Sequence, residues 1–186
     1  MLQPYQHPQH TMASSSSKED GAAKEDTSFS MKMCLTGIRA KFPSVSNIST
    51  KSLHQLIEEH SGKLLMLDCR DECEYNVSHI ENARRVDGDG KDLAETVEYI
   101  QQNFSCQLQI ICYCSLGYRS SRYAQLLEDK FKDVPTYKVY NLEGSLFKWA
   151  NEDRPIVNVQ KEAVLKVHPY NAVFGKLLRK DLRHDV

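Results

Sequence analysis

The stretch Cys114-Ser115-Leu116-Gly117-Tyr118-Arg119-Ser120 brings together the residue types that a reactive thiol needs. It lies between an apolar run, LQIICY at 108–113, and a segment that sets Ala124, Leu127 and Phe131 on one helix face. A cysteine entering such a turn meets backbone N–H groups left free at the helix start. Those amides and the helix dipole favour an anion, and they depress a thiol below its ordinary pKa of roughly 8.5. Arg119 adds a permanent positive charge, and Gly117 lets the loop turn tightly enough to aim its amides inward. The expected chemistry is that of a thiolate nucleophile needing no adjacent general base. The bland alternative, a core cysteine in an arbitrary loop, explains neither Gly117 nor Arg119.

The surrounding pattern says how the loop is positioned. Ser49 or Thr50 can cap a helix carrying Leu53, Leu56 and Ile57 on one face. LLMLD at 64–68 suits a strand buried on both faces. Leu93, Val97, Ile100 and Phe104 form a helix stripe, TYKVYN at 136–141 reads as another strand, and 143–151 reads as a short helix containing Trp149. Strands alternating with helices predict an α/β domain with a parallel sheet. Ligands of such sheets sit beyond the carboxyl ends of the strands. Asp68, Cys114 and Asn141 each follow directly on the apolar part of a predicted strand, so all three belong on that rim.

The ends are less regular. Residues 1–30 are Gln, His, Ser, Lys and acids, a polar tail of the composition that stays disordered. The domain is expected over 31–156, with its core from about 46, and 31–46 adds an extended segment. A C-terminal extension, 157–186, is expected to be partly helical. Val173, Leu177, Leu178 and Leu182 form the stripe of a short amphipathic helix docked on the domain.

A chain of 186 residues accommodates one well-buried domain. Its net charge of -1 argues against nucleic acid or an anionic membrane as the main partner. No apolar run is long enough to cross a bilayer, and no secretory or transit signal is evident, so a soluble cytoplasmic protein is expected. The six cysteines then read as reduced thiols. Cys69-x3-Cys73 and Cys112-x-Cys114 could be imagined as zinc ligand pairs, but the second spacing is poor and falls on a strand, so no metal is expected. Cys112, two residues before Cys114, could resolve an oxidised form of it, although a buried packing cysteine is the simpler reading.

Three motifs together resemble the rhodanese family. The run from Asp68 to Ala83 is similar to that family's D-x-R-x-x-x-E-Y-x-x-G-H-I-x-x-A, and the thiol loop to its C-x-x-G-x-R-S. Leu142-Glu143-Gly144-Ser145-Leu146-Phe147-Lys148-Trp149 is similar to its L-E-G-G-x-x-x-W. They occur in the family's order over about 46–156. Ser78 and Ser145 stand where the pattern has glycine, and Asn82 where glycine is frequent.

The resemblance implies an α/β fold, rhodanese-like, with a five-stranded mostly parallel sheet and helices on both faces. It implies that Cys114 forms a persulfide, its outer sulfur surrounded by the amides of Ser115, Leu116, Gly117, Tyr118, Arg119 and Ser120. Arg119 would hold the loop or the incoming anion. Asp68, Arg70, Glu74, His79 and Gly144 would be structural residues near the site. The partners would be a small sulfur donor, such as thiosulfate or a persulfide, and a thiol, protein thiol or cyanide acceptor, with no cofactor. Ser115 and Leu116 replace the basic residues of thiosulfate-specialised members, and with Tyr118 they favour a larger donor or a protein partner. Two other readings stay open. One is a non-catalytic, regulatory rhodanese-like binding module. The other is a Cys-based phosphatase or arsenate reductase, although the phosphatase loop is one residue longer between Cys and Arg.

Overall fold

The computed structural model describes residues 28–59 and 63–185. In chain order these form α1 (Phe29–Lys41), β1 (Asn47–Ile48), α2 (Thr50–Glu58), β2 (Leu64–Asp68), α3 (Glu72–Val77) and β3 (Arg84–Arg85). Then follow α4 (Leu93–Asn103), β4 (Leu108–Tyr113), α5 (Tyr118–Phe131), β5 (Tyr137–Leu142), α6 (Ser145–Asn151), β6 (Ile156–Val157) and β7 (Ala163–Val164). The first five strands make one sheet in the order β1-β5-β4-β2-β3, and every pairing in it is parallel. β6 and β7 form a separate antiparallel pair.

Side chains alternate across a strand, and β2 and β4 divide accordingly. Leu65 and Leu67 join Ile110 and Cys112 on one face, packed with Ile100 of α4 and with Tyr123, Leu127 and Phe131 of α5. Met66, Ile111 and Tyr113 point to the other, meeting Leu53 of α2, Met31 and Leu35 of α1, and Phe147 and Trp149 of α6. Both faces of the central strands are dry, which explains their continuous apolar runs. Register puts Asp68 opposite Tyr113, and Cys112 opposite Asn141. The three rim residues therefore share one sheet edge.

Two expectations are corrected at the ends. Residues 31–46 are not an extended segment, because most of them lie in α1, whose Ser28 Oγ accepts the Met31 N–H at 3.3 Å. Met31 and Leu35, four apart, are buried on one face, and Ile38 continues the stripe. The C-terminal stretch forms two 3-10 turns, Phe174–Leu177 and Lys180–Leu182, in place of an amphipathic helix. Leu178 and Leu182 are buried in the main core, while Val173 stays 71% exposed. The expected polar tail lies outside the described residues up to position 27, and Ser28 to Ser30 belong to the cap and first turn of α1.

Candidate active site

β4 delivers Cys114 to the rim, and α5 starts four residues later at Tyr118. Gly117 supplies the turn between them with φ of 127°, a conformation L side chains rarely adopt. Its N–H points back at Cys114 Sγ, 3.1 Å away. Burial would push this 3% exposed thiol up. The Arg119 charge, the hydroxyl and N–H of Ser120 and the Gly117 N–H outweigh burial, and the thiol lies below its ordinary value.

The loop is held from two sides. The N–H of Cys114 donates to Ser145 Oγ at 3.1 Å, and the carbonyls of Cys114 and Ser115 accept from Leu146 and Phe147 N–H, each at 3.0 Å. The start of α6 thus grips the loop. Gly144 precedes it with φ of 75°, where a Cβ would stand 2.5 Å from Lys148 Cβ. The Ser120 hydroxyl donates to Asn141 Oδ1 at 2.7 Å and lies beside the Cys114 thiol, where it favours the thiolate. Asn141 in turn donates to Asn47 at 2.8 Å, which ties α5 to the ends of β5 and β1.

On the other side, Arg119 is a strut. Its guanidinium donates to both oxygens of the buried Glu74 carboxylate, at 2.7 and 2.9 Å, and to Ser115 Oγ at 3.0 Å. Ser115 completes the ring by donating to Glu74 at 2.7 Å. Burial raises the Glu74 carboxyl, but the bonds and charge of Arg119 hold it below its ordinary value. Arg119 thus joins Ser115 of the loop to Glu74 of α3.

Asp68 and Arg70 form a fully buried pair with Arg70 Nη2 2.6 Å from Asp68 Oδ2, and the same nitrogen donates to the Ser78 carbonyl at 2.6 Å. His79 exchanges backbone hydrogen bonds with Val157, and its ring stacks on Tyr75 at 3.9 Å between centroids. Both arrangements shape the turn after α3. Among the replaced glycines, Ser78 is extended at φ of -169°, whereas Asn82 and Ser145 are left-handed at 63° and 49°.

Above Cys114 opens a cavity of about 540 Å³. Ser115, Leu116, Tyr118 and Arg119 supply the loop's part of its wall. α1 contributes Cys34, Ile38 and Lys41, and the C-terminal extension contributes Tyr170 and Phe174. Tyr170 lies 4.8 Å from the Arg119 guanidinium. The sequence reading missed Ser145 as a loop ligand and these two outer walls. The Met31, Leu35, Ile38 spacing was the available signal for α1; for Tyr170 and Phe174 local sequence offers none. Cys112 is fully buried beside Cys69, whose thiol is raised by burial and by contact with Cys112. Among the described residues no cluster of His, Cys, Asp or Glu is placed to hold a metal ion, and no helix is long and apolar enough to cross a membrane.

A tRNA uridine(34) hydroxylase of Chlamydia felis is 32% identical over 108 residues, which cover 55% of this chain and 30% of that protein. One of Yersinia pestis is 27% identical over 142 residues, covering 75% of this chain and 36% of that protein. The chain thus spans about a third of the length of these curated relatives. A thiosulfate sulfurtransferase structure from Pseudomonas aeruginosa shares the fold, with a TM-score of 0.54 and 14% identity over 78% of this chain and 26% of that one. The rhodanese-like domain model matches residues 49–152, more than half of the chain. With its parallel sheet and the thiol loop at the end of β4, the chain belongs to the rhodanese-like family.

Proposed function

We propose that this protein is a sulfurtransferase in which Cys114 carries sulfane sulfur between a donor and a thiophilic acceptor. The observation that supports it most is the Cys114 thiol itself, held low by Arg119, Ser120 and Gly117 at the foot of an open cavity. In the first step the thiolate attacks the donor's sulfane sulfur. A new S–S bond forms, the donor's own S–S bond breaks, and the donor leaves with that electron pair, as sulfite does from thiosulfate. In the second step an acceptor such as cyanide, glutathione or a protein thiol attacks the outer sulfur and returns Cys114 to the thiolate. Such a ping-pong cycle needs no general base, and it calls for no cofactor.

The N–H groups of the loop are suited to the negative charge of the persulfide. Ser115, Leu116 and Tyr118 serve as the walls the donor meets, and Asp68, Arg70, Glu74, His79 and Gly144 as the frame. Four residues separate Cys114 from Arg119, a ring that suits one sulfur atom better than a phosphoryl group at in-line distance.

The test is the intact mass of reduced protein before and after thiosulfate or glutathione persulfide, with Cys114→Ser alongside. Gain of one sulfur atom on the wild type alone supports the carrier. Turnover retained in Cys114→Ser would sink the mechanism, and no gain with either donor would favour the binding module. The relatives' name brings a second reading, hydroxylation of a tRNA uridine, and with it the nucleic-acid partner that the net charge of -1 argued against. Nucleoside analysis of tRNA incubated with the protein distinguishes the two.

A further inference from the structure

The cavity over Cys114 is completed by segments outside the family-matched span of 49–152, namely α1 and the C-terminal extension. At about 540 Å³ it falls in the size range of pockets that enclose whole organic ligands. The apolar part of its lining comes from Ile38, Leu116, Tyr118, Tyr170 and Phe174. Tyr118, Tyr170 and Phe174 remain 51%, 44% and 38% exposed. Large apolar groups grouped in water around a nucleophile mark a surface made to be covered.

Charge argues in the same direction. Arg119 is already paired with the carboxylates of Glu74 and Asp71, lies against the Tyr170 ring and faces the Cys114 thiolate, so its charge is engaged within the protein. Lys41 is the other cationic residue of the wall. A small inorganic dianion would be desolvated against apolar walls with little compensation. A donor with its anionic sulfur at the loop amides and a hydrocarbon body among the rings would satisfy both regions.

We propose that this site takes organic sulfane-sulfur donors with an apolar body, of the aromatic thiosulfonate type, in preference to inorganic thiosulfate. The proposal rests on Cys114 acting as a sulfur carrier. Cys114 Sγ attacks the terminal sulfur of R–SO2–S−, forming the persulfide S–S bond. The bond to the sulfonyl sulfur breaks and its electron pair leaves with the sulfinate R–SO2−. One negative charge remains on the persulfide, and no oxidant is consumed.

Initial rates with cyanide as acceptor test this, using benzenethiosulfonate, methanethiosulfonate and inorganic thiosulfate. Each rate is divided by the rate of the same donor with a free small thiol, which removes differences in leaving group. The two thiosulfonates then differ only in the body. Full burial of a phenyl group predicts a benzene-over-methane ratio in kcat/KM of about tenfold or more, with inorganic thiosulfate lowest. Phe174→Ala and Tyr170→Ala, both at half-exposed positions, should lower that ratio toward one. A wild-type ratio near one, or a ratio unmoved in both variants, overturns the proposal. If all three donors leave a persulfide on Cys114 without a size preference, only this inference falls. If none does, the carrier reading falls with it.

Discussion

Ser145 Oγ accepts the buried N–H of Cys114 at 3.1 Å, from a backbone position with φ of 49°. The residue that departs from the glycine of the family motif is thus a ligand of the thiol loop, and its hydroxyl is set against a conformation that favours glycine. Ser145→Ala should lose the hydrogen bond and keep the strain, destabilising the fold by about 2 kcal/mol. Ser145→Gly loses the same bond but relaxes the backbone, so its loss should be smaller. Urea unfolding of the pair checks the order. Equal losses would mean that φ carries no cost here.

Glu74→Gln tests the strut. The variant leaves Arg119 only the exposed Asp71 carboxylate, 3.4 Å away, in place of the 2% exposed Glu74. Breaking such a pair should cost about 3 kcal/mol at neutral pH. The Glu74 carboxyl is depressed in the folded state. Its contribution is therefore present above the unfolded-state value of about 4.3 and is lost as pH falls through the lower folded value. The stability gap between wild type and Glu74→Gln should accordingly narrow as pH drops below about 4.5. A gap that stays constant into acid would show that the charge of Glu74 is not what holds Arg119.

The cysteines should separate by alkylation of the native protein. Cys73 and Cys106 are exposed, whereas Cys69 and Cys112 are buried and Cys69 is raised by that burial. Cys114 is depressed. It should therefore show the lowest midpoint in a pH profile of iodoacetamide labelling read by peptide mass, below the roughly 8.5 of a free thiol. Ser120→Ala removes a hydroxyl that favours the thiolate and should move that midpoint upward. Labelling of Cys69 or Cys112 at comparable rates would contradict the burial of that pair.

Legibility in the sequence followed the range of the forces involved. The strands were visible because Leu65, Leu67, Ile110 and Ile111 are buried on both faces of a parallel sheet, and a continuous apolar run is the only pattern that allows. The thiol loop was visible because Gly117 and Arg119 act within a few residues of Cys114. α1 was misread because its stripe of Met31, Leu35 and Ile38 is short and blurred by the exposed apolar Phe29 and Met33, a weak periodic signal that only packing on the core redeems. The Ser145 contact and the Tyr170 wall span more than thirty and more than fifty residues from Cys114. No local pattern encodes a meeting of that kind. The stripe at the C-terminus was real in its burial of Leu178 and Leu182 but wrong in its geometry, because the chain is extended at Leu178 and Arg179 between two 3-10 turns that place the same residues inward.

The burial of Leu178 and Leu182 bears on where the folding unit ends. Val167, Leu178 and Leu182 are 0%, 1% and 4% exposed and belong to the same core as Trp149 and Phe147. Asn151 reinforces the join, donating to the Leu177 carbonyl at 2.8 Å and accepting the Arg179 N–H at 2.9 Å. The extension is thus part of the core and also carries Tyr170 and Phe174 over the thiol. Leu178→Ala should lower stability by about 2–5 kcal/mol, as for other buried leucines, and Val173→Ala, at a 71% exposed position, should change it little. If the two substitutions prove equally mild in urea unfolding, the extension is not docked as described, and the cavity over Cys114 loses its outer wall. If Leu178→Ala is costly, a protein cut at 156 would expose the Trp149 side of the core and should lose both stability and any preference for a bulky donor. Urea unfolding of the cut chain then reads the first loss, and the benzene-over-methane ratio of its persulfide formation, set beside that of the full-length chain, reads the second.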